Sequence, residues 1–189
     1  MKQVKWIWKT TALILGTIII GYLMYGIFTN HDRRVTFLKK YLPDKASITL
    51  LVYCEKYKVD WLKALALLYA ESEGKQTARS RNSNGSSDYG YFQLNGGGTL
   101  QHLRQRLKRH FDDVDKYSTE FNICGGILHL RSLLTYFDGD YYKAVEVYNI
   151  GVGNYRKGKT NNKHLDKWMT YFTYFKMEWI YFNKFLGVF

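Results

Sequence analysis

ESEGKQTARSRNSNGSSDYGYFQLN, residues 71–95, is the stretch on which the reading of this chain turns. Glu71 opens it, directly after the apolar run Leu67-Leu68-Tyr69-Ala70. A carboxylate at the end of an apolar helix loses hydration in its charged form, so its pKa is expected to rise. The partial negative charge of a helix C-terminus works in the same direction. A carboxylic acid that keeps its proton near neutrality is what general-acid catalysis needs. Asp88 follows in the polar run Ser86-Ser87-Asp88-Tyr89-Gly90, where hydroxyls and backbone amides are expected to keep it ionised. Two carboxyl groups in opposite environments suit cleavage of a glycosidic bond. Taken alone, Glu71 also has a plainer reading, a C-terminal Glu pointing into water.

Upstream, Asp60 is a suitable N-cap for the helix WLKALALLYAES at 61–72, whose nearly all-apolar interior predicts burial on most sides. Gly74 is its expected stop. Ile48 to Tyr57 reads as a helix, and 31–45 as a short linker and first turn. Around Asn84-Gly85, a turn signal, short alternating segments predict a small β-hairpin or ordered loop. Downstream, helices are expected over Gln101–Phe111, Thr119–Phe137, Tyr141–Tyr148 and Asp166–Phe185, with Gly151 and Gly153 closing the third. The predicted fold is mainly α, a helical domain with one small β region.

The chain of 189 residues is long enough for one soluble domain with its own core. Aromatic residues make up 17% of it, which excludes a disordered chain. The formal net charge of +12 suits a polyanionic partner: nucleic acid, anionic lipid or an acidic wall polymer. It equally suits plain solubility. Cys54 and Cys124 form no metal-type spacing with the five histidines, so no metal site and no cofactor are expected. The two cysteines read either as one disulfide in an oxidising compartment or as two buried thiols.

Residues 10–28, TTALILGTIIIGYLMYGIF, carry no charge and are long enough to cross a bilayer as a helix. Lys2, Lys5 and Lys9 precede them, and Trp6, Trp8, Tyr22 and Tyr25 sit towards the ends, where aromatic rings favour the interface. The small-residue cleavage pattern of a signal peptide is missing. The expected organisation is an N-terminal membrane anchor over 1–30 and a folded domain over 31–189. Basic residues flank both sides almost equally, so charge alone does not orient the anchor.

The 71–95 stretch resembles the active-site stretch of the lysozyme superfamily. Glu71-Ser72 is followed without gaps by Asn82, Gly85, Ser86, Asp88, Tyr89, Gly90, Gln93 and Asn95, the family's N-x-x-G-S-x-D-Y-G-x-x-Q-x-N loop. Val147-Tyr148-Asn149-Ile150-Gly151 narrows the resemblance to the bacterial lytic transglycosylases of the SLT type, whose third motif is A-Y-N-x-G. Their G-L-M-Q motif appears as Gly90-Tyr91-Phe92-Gln93, and NICGGILHLRSLL resembles the helix before the third motif. The resemblance covers roughly 59–153. It is nearest to the small specialised transglycosylases that accompany secretion, conjugation and invasion machines, which often carry a cysteine pair.

That resemblance implies a lysozyme-like fold and a peptidoglycan substrate, cut between N-acetylmuramic acid and N-acetylglucosamine. Glu71 would be the acid and then the base, giving a 1,6-anhydro end. Asp88 would stabilise positive charge, or act as nucleophile in a hydrolytic muramidase of the same fold. Tyr148 would position Glu71, Gln93 and Asn95 would bond sugar acetamido groups, and Ser72 and Asn149 complete the expected substrate-side set, with Ser72 expected to orient Glu71 or the backbone rather than touch substrate. It further implies a Cys54–Cys124 bridge, a domain on the wall side of the cytoplasmic membrane, and an envelope-spanning apparatus as partner. A nucleic-acid partner, resting on charge alone, is not expected; an idle wall-binding scaffold is the rival of another class.

Overall fold

The computed structural model describes residues 13, 15–21, 26, 33–107 and 115–186. The chain forms two compact units, Met1–Lys40 and Tyr41–Phe189. In the first, residues 15–21 and 33–38 are helical. Leu15, Ile18, Ile19 and Ile20 are each more than half exposed. Most of the predicted span over 10–28 lies outside the described residues, and among the described residues no helix is long and apolar enough to cross a membrane.

The second unit begins with helix α1, Asp44–Tyr57, which starts four residues before the predicted helix. Pro43 precedes it, and Asp44 places a negative charge in its first turn, where the helix dipole favours one. Lys58 in the left-handed region ends it. Helix α2, Trp61–Ser72, begins where its sequence indicates: Asp60 accepts a hydrogen bond from the Lys63 amide at 3.0 Å. The left-handed turn that stops it falls on Glu73 (φ 55°) as well as Gly74.

Ala64 to Leu68 of α2 are wholly buried, as an apolar interior demands. Two helices enclose this one. α1 packs beside it, and α7, Asn162–Phe185, lies along it. Trp168 of α7 is buried and donates its indole N–H to the Lys63 carbonyl at 3.1 Å. Phe175 meets Tyr69 edge-on at 5.0 Å. α7 starts four residues before the Asp166 boundary expected from sequence, because Asn161 caps it through the His164 amide at 3.2 Å.

Where a small hairpin or an ordered loop was expected, there are three antiparallel strands in sequence order: β1 (Arg79–Arg81), β2 (Ser87–Tyr89) and β3 (Leu94–Asn95). The third strand exists because Gln93, at φ 44°, turns the chain back. Ser80 pairs with Asp88 and Asp88 with Asn95, so these three stand in one row across the sheet.

Helix α3 (Thr99–Leu107) follows, with residues 108–114 outside the described set, and then α4 (Thr119–Tyr136), α5 (Tyr141–Ile150) and a short α6 (Val152–Tyr155) that the sequence reading lacked. Asn122, fully buried on α4, stitches the sheet to the helices. Its Nδ2 donates to the Tyr89 and Lys116 carbonyls at 2.8 and 2.9 Å, and its Oδ1 accepts from the Phe92 amide at 2.9 Å. Gly90 has φ 76°, and a Cβ there would fall on that same Asn122 amide. The glycine of the Gly90-Tyr91-Phe92-Gln93 motif is therefore a requirement of packing as well as of backbone angle.

The Cys54–Cys124 bridge is corrected: both cysteines are buried thiols, with no disulfide between them. The Cys124 sulfur lies 3.9 Å from the Tyr57 hydroxyl, and burial pushes its thiol pKa upward. Of the two sequence readings, the buried thiols hold.

Candidate active site

A cleft of about 800 Å³ runs between the sheet, the end of α2 and the end of α5. Glu71, Asp88, Gln93, Asn95, Tyr148 and Asn149 all line it. Residues far apart in sequence thus meet on one surface. Ser72 does not join them. It is buried, with its hydroxyl bonded to the Leu68 carbonyl of its own helix at 3.1 Å, which corrects its grouping with the substrate-side residues and agrees with the expected backbone role. Adjacent helix positions face different ways, and with Glu71 turned to the cleft, Ser72 turns inward.

Glu71 keeps 10% of its side chain exposed. Burial first, then the negative charge of Asp88, push its pKa up to about 8, against the opposing pull of Lys167. The carboxyl is therefore largely protonated at neutral pH, as the apolar run before it led one to expect. Glu73, two residues on, is half exposed and pairs with Lys75 at 3.3 Å and Lys167 at 3.8 Å.

Asp88 sits in a wholly different shell. Its Oδ1 accepts from Asn95 Nδ2 at 2.6 Å, and its Oδ2 from Asn82 Nδ2 at 3.0 Å. The Ser80 hydroxyl reaches Oδ2 at 3.5 Å. Amide donors thus hold both oxygens in place. Ser86 sits between the two amides, accepting from Asn82 at 3.1 Å and from Asn95 at 3.0 Å.

Three polar side chains in the cleft are already committed to the protein. Gln93 gives both amide hydrogens to backbone carbonyls, of Ala78 at 3.1 Å and Gly90 at 2.9 Å, and accepts from Ser80 at 2.8 Å. Asn95 donates to Asp88 and Ser86 and accepts from the Gly97 amide at 2.9 Å. Asn149 accepts from Asn161 Nδ2 at 2.7 Å. Their visible work is to hold the walls in shape.

Tyr148 donates its hydroxyl to the Phe92 carbonyl at 3.0 Å. Burial, then the nearby carboxyls of Glu71 and Asp88, hold its phenol well above its ordinary pKa. Its ring lies against His129, centroids 4.9 Å apart, and burial pushes that imidazole down to about 4.

His164 is the site residue that sequence reasoning missed. Its Nε2 stands 3.4 Å from Glu71 Oε1, with only 8% of its side chain exposed. Burial, then Lys167, push its pKa down to about 4. With Glu71 near 8 and His164 near 4, both groups are neutral around pH 6, so the contact is not an ion pair. A lone His at the start of an aromatic helix carries no spacing signal. The Asn161 cap in front of it was the only local clue.

A family model described as transglycosylase SLT domain matches residues 50–171. No curated protein matches the sequence. Among solved structures, an inactive mutant of the lytic transglycosylase Slt of Pseudomonas aeruginosa superposes with a TM-score of 0.51 at 18% identity, covering 75% of this chain and 24% of that one. The 70 kDa soluble lytic transglycosylase of Escherichia coli gives 0.50 at 18% identity, covering 74% and 24%. This chain therefore spans about a quarter of the length of those two proteins, and at such identity the likeness is one of fold.

Proposed function

The chain belongs to the transglycosylase SLT domain family, and from that premise we propose that it is a peptidoglycan lytic transglycosylase with Glu71 as its acid and base. One observation carries the reading: a buried carboxyl with its pKa raised to about 8 lines a cleft that also holds the hydrogen-bonded carboxylate of Asp88. Glu71 protonates the glycosidic oxygen, the bond to the muramic anomeric carbon breaks, and the leaving sugar departs with the proton. Asp88 stabilises the oxocarbenium-like sugar by its charge. The Glu71 carboxylate then takes the proton of the muramic C6 hydroxyl, whose oxygen closes on the anomeric carbon to form the 1,6-anhydro end.

The rival within the fold is a hydrolytic muramidase using Asp88 as nucleophile. Asp88 favours the first reading, since both its oxygens accept amide hydrogens and are weakened as nucleophiles. Digestion of purified peptidoglycan by the full chain in detergent, read by mass spectrometry, decides between them. Anhydro ends are lighter than reducing ends by one water. Reducing ends would overturn the transglycosylase assignment, and an undigested wall would leave the idle scaffold.

The uncharged stretch 10–28 serves, in this proposal, as a single membrane anchor. The exposed Leu15, Ile18, Ile19 and Ile20 support it, since water disfavours such a face. A wall substrate then requires the domain to lie outside the cytoplasmic membrane. The resemblance to the small specialised enzymes supports an envelope-spanning apparatus as partner. The net charge of +12 suits the peptide carboxylates of the wall. Fractionation of cells with protease access from the outer side tests the anchor and its direction together.

A further inference from the structure

Glu71 Oε1 and His164 Nε2 are both sealed from solvent, and neither has a hydrogen-bond partner among the described residues. They face one another at 3.4 Å. Buried polar atoms in folded proteins are almost always satisfied. The separation is already short, so a small adjustment of distance and ring orientation would satisfy both atoms at once, and catalytic hydrogen bonds are commonly long or poorly aligned before substrate tightens them.

We propose that His164 is a positioning residue for Glu71: a neutral imidazole whose Nε2–H donates to Oε1 and so presents Oε2 to the glycosidic oxygen. This rests on the transglycosylase reading for its catalytic consequence, though not for the contact itself.

The direction of the bond follows from the chemistry. Oε1 is the enclosed oxygen, and Glu71 lines the cleft, so Oε2 is the oxygen left for substrate. A productive acid carries its proton on Oε2, which makes Oε1 an acceptor. When Glu71 has given up that proton, Oε1 becomes a stronger acceptor still. One donor in one place thus serves both halves of the reaction, and no proton need pass to the imidazole. A protonated His164 could donate in the same way, but burial and the Lys167 ammonium disfavour it.

The position of His164 is itself fixed by the family motif at the end of α5. Asn149 Oδ1 accepts from Asn161 Nδ2 at 2.7 Å, and Asn161 Oδ1 accepts from the His164 amide at 3.2 Å. The Asn161 backbone amide also reaches Glu146 at 3.4 Å. This chain of contacts ties α7 to the motif that carries Tyr148. The charged and titratable groups acting on Glu71 come from three further elements: Asp88 of β2, Tyr148 of α5 and Lys167 of α7.

The test compares the full chain in detergent with His164→Gln, which keeps an amide donor, and His164→Met, which fills the space without one. Kinetics on purified peptidoglycan are expected to give a kcat about tenfold lower for the Met variant and within about threefold for the Gln variant, with KM unchanged. Carboxyl carbon NMR, assigned with Glu71→Gln, should show the Glu71 midpoint moving up in the Met variant and back in the Gln variant. Histidine nitrogen NMR should show a neutral ring protonated at Nε2 around pH 6. A Met variant as active as wild type, a Gln variant no better than Met, or an unprotonated Nε2 overturns the proposal. If the wild type releases nothing from peptidoglycan, the enzymatic reading falls, while the two NMR measurements still decide the His164–Glu71 contact.

Discussion

Asn95 Nδ2 lies 2.6 Å from Asp88 Oδ1, across a two-strand register that sets the two residues side by side. Asn82 grips the other oxygen, so one carboxylate is clamped from both sides. Its charge nonetheless reaches Glu71 and raises that pKa. Two carboxyl groups thereby share one cleft in different surroundings, one buried and one clamped by amides.

Replacing Asp88 with Asn removes that charge, so the Glu71 pKa should fall below 8. Glu71 is the acid that must be protonated, so the alkaline limb of the pH–rate profile should move to lower pH. Lys167→Gln should move the same limb upward, since Lys167 pulls the other way. Opposite displacements in the two pH profiles are the check. Asp88→Asn should also lower kcat without abolishing cleavage, because the proposed mechanism takes electrostatic stabilisation from Asp88 but forms no covalent bond to it.

Glu71→Gln should abolish wall cleavage and raise stability at alkaline pH. The folded pKa of about 8 exceeds the ordinary 4.5, so the folded state holds a proton that the unfolded chain has lost. The stability linked to this group is complete below pH 4.5 and is lost as pH rises through 8. Glutamine removes the penalty. At pH 8 the variant should melt at least about 3 °C above wild type, with little difference at pH 4.5. Scanning calorimetry at the two values settles it.

Tyr148→Phe leaves the buried Phe92 carbonyl without its donor. An unsatisfied buried acceptor costs about 1–3 kcal/mol. The variant should lose stability of that order in urea melts. Its kcat should fall by about tenfold or more, because Phe92 adjoins Gln93 and the sheet that carries Asp88.

Gly90→Ala should be far harsher than its size suggests. It places a Cβ at φ 76° and onto the Asn122 amide, which holds three backbone groups. A loss of about 3 kcal/mol or more is expected. The same variant combined with Asn122→Ala should lose less than the sum of the two, which a double-mutant cycle measures.

Local pattern carried much of this molecule. The Asp60 cap, the all-round apolar character of residues 64–68 and the Glu-to-Asp loop are properties of neighbouring residues, and they predicted a buried helix ending on an acid beside a small β region. Those features recur because helix burial and turn chemistry act within a few residues. Other outcomes depended on partners distant in the chain. The third strand needed a left-handed Gln93 whose amide is held by Ala78 and Gly90, and no alternation of residues announces that. The cysteines stayed apart as thiols because a bridge depends on the relative placement of two helices. Ser72 and Glu71 are adjacent in sequence yet face opposite ways, one to the core and one to the cleft.

From its sequence alone, this protein determined which acid ends an apolar helix and which loop follows it, since hydration and turn geometry are decided locally. Only tertiary structure decided that the acid is sealed on one side by a histidine ninety-three residues further on. Side-chain burial is the summed effect of α2 and α7 packing together, and a pKa near 8 belongs to that packing rather than to Glu71 itself.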